Sequence, residues 1–166
     1  IDFQLARGAD TISGSVFSMS AGELSLTSIT LSPVTSESRL QLSAPLISLS
    51  SAPATITSSS FSWVELSSGE GSVIHAEIGE NQMLKITGSA DAKNQFTNCQ
   101  TSYQNGGAIY VKCSSSSSLF VQHTEFTKCT SSGNGGCVYI NCVDATELLK
   151  KENFSESPVT STDSDK

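Results

Sequence analysis

The hexapeptide Gly106-Gly107-Ala108-Ile109-Tyr110-Val111 returns 29 residues later as Gly135-Gly136-Cys137-Val138-Tyr139-Ile140. Looser copies start at Gly14, Ala44 and Gly71, so a small-residue corner leading into a short apolar strand occurs at steps of 30, 27, 35 and 29 residues. A second landmark is a large apolar anchor at Leu31, Phe61, Phe96 and Phe126, with Phe154 as a further candidate, at steps of 30, 35, 30 and 28. Two independent landmarks sharing one period near 30 exclude most folds. Repeats of roughly 20 to 50 residues belong to solenoids and propellers.

Within a repeat the local period is two, which makes the elements strands. The positions of Ile109 and Val111 are apolar in every copy: Phe17 and Met19, Ile47 and Leu49, Ile74 and Ala76, Val138 and Ile140. The residue between them is Ser18, Ser48, His75, Tyr110 or Tyr139. Side chains alternate across a strand, so the first set is expected inward and the second outward. A further segment reads Leu24, Leu26, Ile29, Leu31, then Ala54, Ile56, Ser59, Phe61, then Leu119, Val121, Thr124, Phe126. Its odd internal gap reverses the alternation and predicts a bend. One repeat therefore reads as strand, corner, strand, bend, strand and return loop. Stacked in parallel, such repeats align like residues in ladders: Phe17, Ile47, Ile74, Ile109 and Val138 inside, with Leu31, Phe61, Phe96 and Phe126 as anchors. The expected fold is all-β, a parallel β-helix of about five rungs. A propeller blade would need four antiparallel strands, and hairpin signals are missing.

Gly71, Gly106, Gly107, Gly135 and Gly136 fall at corners, where a positive φ or a close backbone approach favours glycine. Asn105 and Asn134, just before, are residue types that tolerate the same geometry. A phosphate-cradling reading lacks the following Gly-Lys-Ser/Thr and helix. Gly88 to Gln95 accounts for the longest step, and Ser114 to Ser118 reads as a solvated loop. Residues 1–154 are expected to form the β-helix, as a segment of a longer protein, and 155–166 a polar acidic tail or linker. Asp144 to Lys151 fits either a capping helix or, with Leu149 and Phe154 inward, a final rung.

Composition narrows function. Serine is about one residue in five and the net charge is −7, which argues against a nucleic-acid partner and against docking on anionic lipid. No apolar run reaches the roughly 18 residues of a membrane span.

Five cysteines occupy ladder positions. Cys99 and Cys129 follow their anchor phenylalanines by three residues, matching Val34 and Val64. Cys113 and Cys142 follow the first strand, where other copies carry Ala21, Ser51 and Ile78. Buried thiol packing is one reading. Disulfides between adjacent rungs, Cys99–Cys129 and Cys113–Cys142, are the other, and suit an oxidising exterior. No CxxC or His-x3-His spacing supports zinc, and no base is evident for a nucleophilic cysteine, His123 standing alone in sequence. His75, Tyr110 and Tyr139 form an expected outward ladder, which suits either sugar or protein contact or simple strand packing.

Gly-Gly-Ala-Ile at 106 to 109, with Phe96-Thr97-Asn98 before it, resembles the GGAI and FxxN repeats of polymorphic outer membrane proteins, and equally the related repeats of protist surface proteins. The resemblance covers residues 54 to 142 by motif and 12 to 53 by pattern. Phe and Asn stand two apart here instead of three, and the second copy is Gly-Gly-Cys-Val. It implies a right-handed parallel β-helix at the cell surface, acting in adhesion. The expected function is thus a non-enzymatic surface or secreted module, without cofactor or metal, presenting a stiff face to a glycan or protein partner. The alternative is a pectin-lyase-like polysaccharide lyase or hydrolase. It requires converging acids, whereas Glu65, Glu70, Glu77 and Glu80 straddle turns.

Overall fold

Alternating apolar residues at a 30-residue repeat produce strands too short to stand alone, and stacking supplies the missing partners. The computed structural model describes residues 2–4, 11–33 and 39–142. The helix-or-rung alternative at 144–154, the tail at 155–166 and Val34 lie outside the described residues.

The chain opens with β1 (Asp2–Gln4) and β2 (Thr11–Ile12). Four complete turns follow. The first is β3 (Phe17–Met19), β4 (Leu24–Thr27), β5 (Thr30–Ser32) and β6 (Leu40–Leu42). The second is β7 (Ile47–Ser50), β8 (Ala54–Thr57), β9 (Ser60–Ser62) and β10 (Val64–Leu66). The third is β11 (Ile74–Ile78), β12 (Met83–Thr87), β13 (Asn94–Thr97) and β14 (Gln100–Thr101). The fourth is β15 (Ile109–Cys113), β16 (Ser118–Gln122), β17 (Thr124–Thr127) and β18 (Thr130–Ser131). β19 (Val138–Cys142) begins the next turn.

Each strand pairs with its counterpart one turn away, giving sheets β3-β7-β11-β15-β19, β4-β8-β12-β16, β1-β5-β9-β13-β17 and β2-β6-β10-β14-β18. All pairings are parallel. The molecule is a parallel β-helix of about five rungs. The turn holds four strands, not the three expected: the return loop contains β6, β10, β14 and β18. Those strands are two or three residues long, too short to display an alternation.

The expected inward ladder is in register throughout: Phe17 faces Ile47, Ile47 faces Ile74, Ile74 faces Ile109, and Ile109 faces Val138. Leu31, Phe61, Phe96 and Phe126 align likewise, and the phenylalanine rings stack at 5.4 and 5.1 Å. The cysteine column needs one correction. Val64 is level with Cys99, but below Val64 lies Leu40, not Val34.

The predicted bend is real. Ser28, Ser58 and His123 adopt positive φ between the second and third strands of their turns. Trp63, Asn98 and Lys128 do the same before the fourth. Each corner keeps the backbone ladder intact: Ser28 N–H donates to Thr57 O, Trp63 to Thr97 O and Asn98 to Thr127 O, at 2.9, 2.9 and 2.8 Å. Gly71, Gly106 and Gly135 take positive φ, as expected, whereas Asn105 and Asn134 do not. Asn105 bridges rungs instead, its Oδ1 accepting the Asn134 N–H at 2.8 Å. The insertion after β12 ends earlier than the sequence suggested, because Asn94 and Gln95 already belong to β13. Ser118 likewise belongs to β16.

Candidate contact face

The sheet β3-β7-β11-β15-β19 turns its alternate residues outward. In register these are Ser18, Ser48, His75, Tyr110 and Tyr139, and beside them Ser50, Glu77, Lys112 and Asn141. Rung spacing sets the ring spacing: His75 and Tyr110 lie 4.9 Å apart and Tyr110 and Tyr139 5.6 Å, nearly parallel. The ladder expected from sequence therefore exists as one stack. Its middle member is not open, however. Tyr110 is only 6 % exposed, because His75 covers one ring face and Tyr139 the other. The outer edges of the rings, not the flat face of Tyr110, border solvent.

Polar groups fasten this stack at one side. Glu70, in the corner before β11, accepts a hydrogen bond from Asn105 Nδ2 at 3.1 Å. Its main-chain oxygen lies 3.3 Å from His75 Nδ1. Burial pushes the Tyr110 hydroxyl above its ordinary pKa; a hydrogen bond with Asn141 opposes this, and the charge and hydrogen bond of Glu70 add to it. Beyond the rings, Lys112 Nζ pairs with Glu77 at 3.3 Å, with both side chains about half exposed.

Glu65, Glu70, Glu77 and Glu80 are spread over different sheets and corners, each with its own partners. Glu65, on β10, accepts from Gln41 at 3.0 Å and Ser102 at 3.3 Å and lies 3.7 Å from Arg39. The Arg39 guanidinium also lies over the Trp63 ring. Glu80 accepts from Ser115 on the next rung at 3.5 Å. The sequence points to Asn105 as a corner residue and to Glu70 as an acid at a turn, but not to their place beside the ring stack, nor to the Arg39–Trp63 pair. The 29-residue recurrence of Asn105 and Asn134 was the available signal for the first.

The cysteines divide into two groups. Cys113 and Cys142 face each other at adjacent strand ends, Cα atoms 4.6 Å apart, and form a disulfide. The other proposed pair is not joined. Cys99 and Cys129 are buried thiols, directed to the carbonyls of Phe61 and Phe96. Among the described residues, no helix is long and apolar enough to cross a membrane. Comparison with known proteins returns no match, whether to family models, curated proteins or solved structures.

Proposed function

We propose that the chain is a non-enzymatic adhesive module, secreted or held at a cell surface, that presents the sheet carrying His75, Tyr110 and Tyr139 to a partner. The observation that carries this reading is the aromatic stack itself. Three rings fixed by the ladder, edged by Glu77, Lys112 and Asn141, offer a rigid surface whose side-chain entropy is already spent. Ring edges and polar tips suit hydrogen bonding to sugar hydroxyls or to a polar protein loop. The Cys113–Cys142 disulfide supports an oxidising compartment. The engagement of Glu65, Glu70, Glu77 and Glu80 in separate cross-rung contacts weighs against the lyase or hydrolase alternative, which needs acids aimed at one bond.

Binding to intact cells and to a glycan array tests the proposal. The double variant Tyr139→Ala, Lys112→Ala is expected to lose about 10-fold or more in affinity, an ordinary loss for a contact centre, while Thr97→Ala on another sheet retains it. Equal binding by all three proteins would reduce the module to a spacer. Release of unsaturated uronate from pectin, alginate or glycosaminoglycans, abolished by Glu65→Ala or Glu77→Ala, would replace it with the enzyme.

A further inference from the structure

A third free thiol lies beside the buried pair. Cys137 occupies the last corner before β19, where the earlier repeat has Ala108. Ala108 is fully buried and Cys137 is half-buried. The Cys137 thiol points back to Cys129 O at 3.8 Å, which brings the two thiols close enough to shift each other's titration. Cys129 in turn stands level with Cys99 on the rung below. Exposure rises along the three thiols, from Cys99 through Cys129 to Cys137.

We propose that Cys129 and Cys137 are an oxidation site, closing a disulfide that staples the terminal Gly-Gly corner to the segment entering β18. Access selects this pair over Cys99–Cys129. Cys99 is 0 % exposed and Cys129 5 %, so a soluble oxidant meets Cys137 first. The oxidant is a small disulfide such as glutathione disulfide. The Cys137 thiolate attacks one of its sulfurs, forming a mixed disulfide and releasing one glutathione thiolate, which takes up a proton. The Cys129 thiolate then attacks the Cys137 sulfur and expels the second glutathione. Two cysteine thiols are oxidised and one glutathione disulfide is reduced to two thiols. At Cys129 the hydrogen bond from Cys137 pulls the pKa down, but the hydrogen bond to Cys99 and burial outweigh it, and at Cys137 the hydrogen bond to Cys129 and burial both raise it. Both thiols are therefore protonated at neutral pH, and the reaction is slow there and accelerates with alkali. The closed staple holds the corner that delivers Tyr139 to the aromatic stack. The inference does not depend on the adhesive reading.

The whole protein is incubated with glutathione disulfide at pH 8.5, denatured, alkylated without reduction and digested with trypsin. Cleavage after Lys93, Lys112, Lys128 and Lys150 isolates Cys99 in peptide 94–112 and places Cys129, Cys137 and Cys142 in peptide 129–150. The expected product carries alkyl label on Cys99 and none on Cys129 or Cys137, and the labelled fraction of the latter two falls at least 10-fold against untreated protein. The variant Cys99→Ser still closes the Cys129–Cys137 disulfide, and Cys137→Ser forms no second disulfide. Loss of label from Cys99, retention of label on both Cys129 and Cys137, or glutathione left permanently on Cys137 would each overturn the proposal.

Discussion

The two Gly-Gly corners share a sequence but not a setting. Gly106 and Gly135 need glycine for the same local reason, a φ of +69° and +65°. Gly107 and Gly136 part company. Gly107 lies beneath the next turn, and a Cβ there would fall inside the carbonyl oxygens of Gly136 and Thr130. Among the described residues, a Cβ on Gly136 would meet only Cys129 O, at 3.7 Å. The same contrast runs through the other ladders. Ile109 is buried while Val138 is half-exposed, and among the described residues Tyr110 has a ring on both faces while Tyr139 has one on a single face. Position in the stack, more than residue type, decides what a repeated residue contributes. This is the expected behaviour of a molecule whose stability is a sum of nearest-neighbour interfaces.

Gly107→Ala breaks the comparison most sharply. It is expected to destabilise by at least about 3 kcal/mol, or to prevent folding, since backbone on a neighbouring rung cannot move without opening the ladder. Gly136→Ala is expected to stay within about 1 kcal/mol of the parent, because its φ is ordinary and the described residues leave the space open. Urea denaturation of the two variants measures both. Equal losses would mean that the corners do the same work.

Next come the anchors. Phe96 is fully buried between Phe61 and Phe126, whereas Phe126 has a ring neighbour on one side among the described residues. Phe96→Ala removes two ring contacts and leaves a cavity closed above and below, with an expected loss of about 4 kcal/mol. Phe126→Ala should lose about half as much. Reversal of that order in denaturation midpoints would show that residues past 142 bury the terminal rung as deeply as the interior.

Much of the fold behind this contrast is legible in the sequence. The alignment of Ile74 with Ile109 and Val138 follows from alternation plus the repeat, and the odd gap before Phe61 and Phe126 foretold the bend. The fourth strand was not legible. β14 and β18 are two residues each, and the corners that precede β10 and β18 are turned by Trp63 and Lys128, residue types that carry no left-handed signal. Each such conformation costs on the order of 1 kcal/mol, and the cross-rung hydrogen bonds hold it in place. At the candidate face, the ladder of His75, Tyr110 and Tyr139 could be read from spacing. The burial of Tyr110 could not, because it comes from stacking together with Glu70 and Asn105, which approach from corners distant in sequence. The split among the cysteines was equally hidden. Both adjacent-rung pairs satisfy the ladder, and the orientation of each side chain decides that only Cys113 and Cys142 are joined.

The smallest expected effect links the two regions, because Cys129 belongs to the interior column and Cys137 to the terminal corner. The hydrogen bond from Cys137 pulls the Cys129 thiol down, but the hydrogen bond to Cys99 and burial push it further up, to about 12. The hydrogen bond to Cys129, then burial, raises Cys137. Tyr110 is raised from 10.0 chiefly by burial. In the unfolded chain the two thiols titrate near 9 and the phenol near 10. Below pH 9 all three are protonated in both states, so their contribution to stability is constant. From pH 9 to about 12 the unfolded chain binds fewer protons than the folded one, and stability falls as pH rises. Thermal midpoints of the reduced protein should therefore begin to decline near pH 9. In the Cys129→Ser, Cys137→Ser variant the onset should move to about pH 10, where Tyr110 takes over. Identical slopes for parent and variant between pH 9 and 10 would separate the terminal corner from the interior and leave each rung to titrate alone.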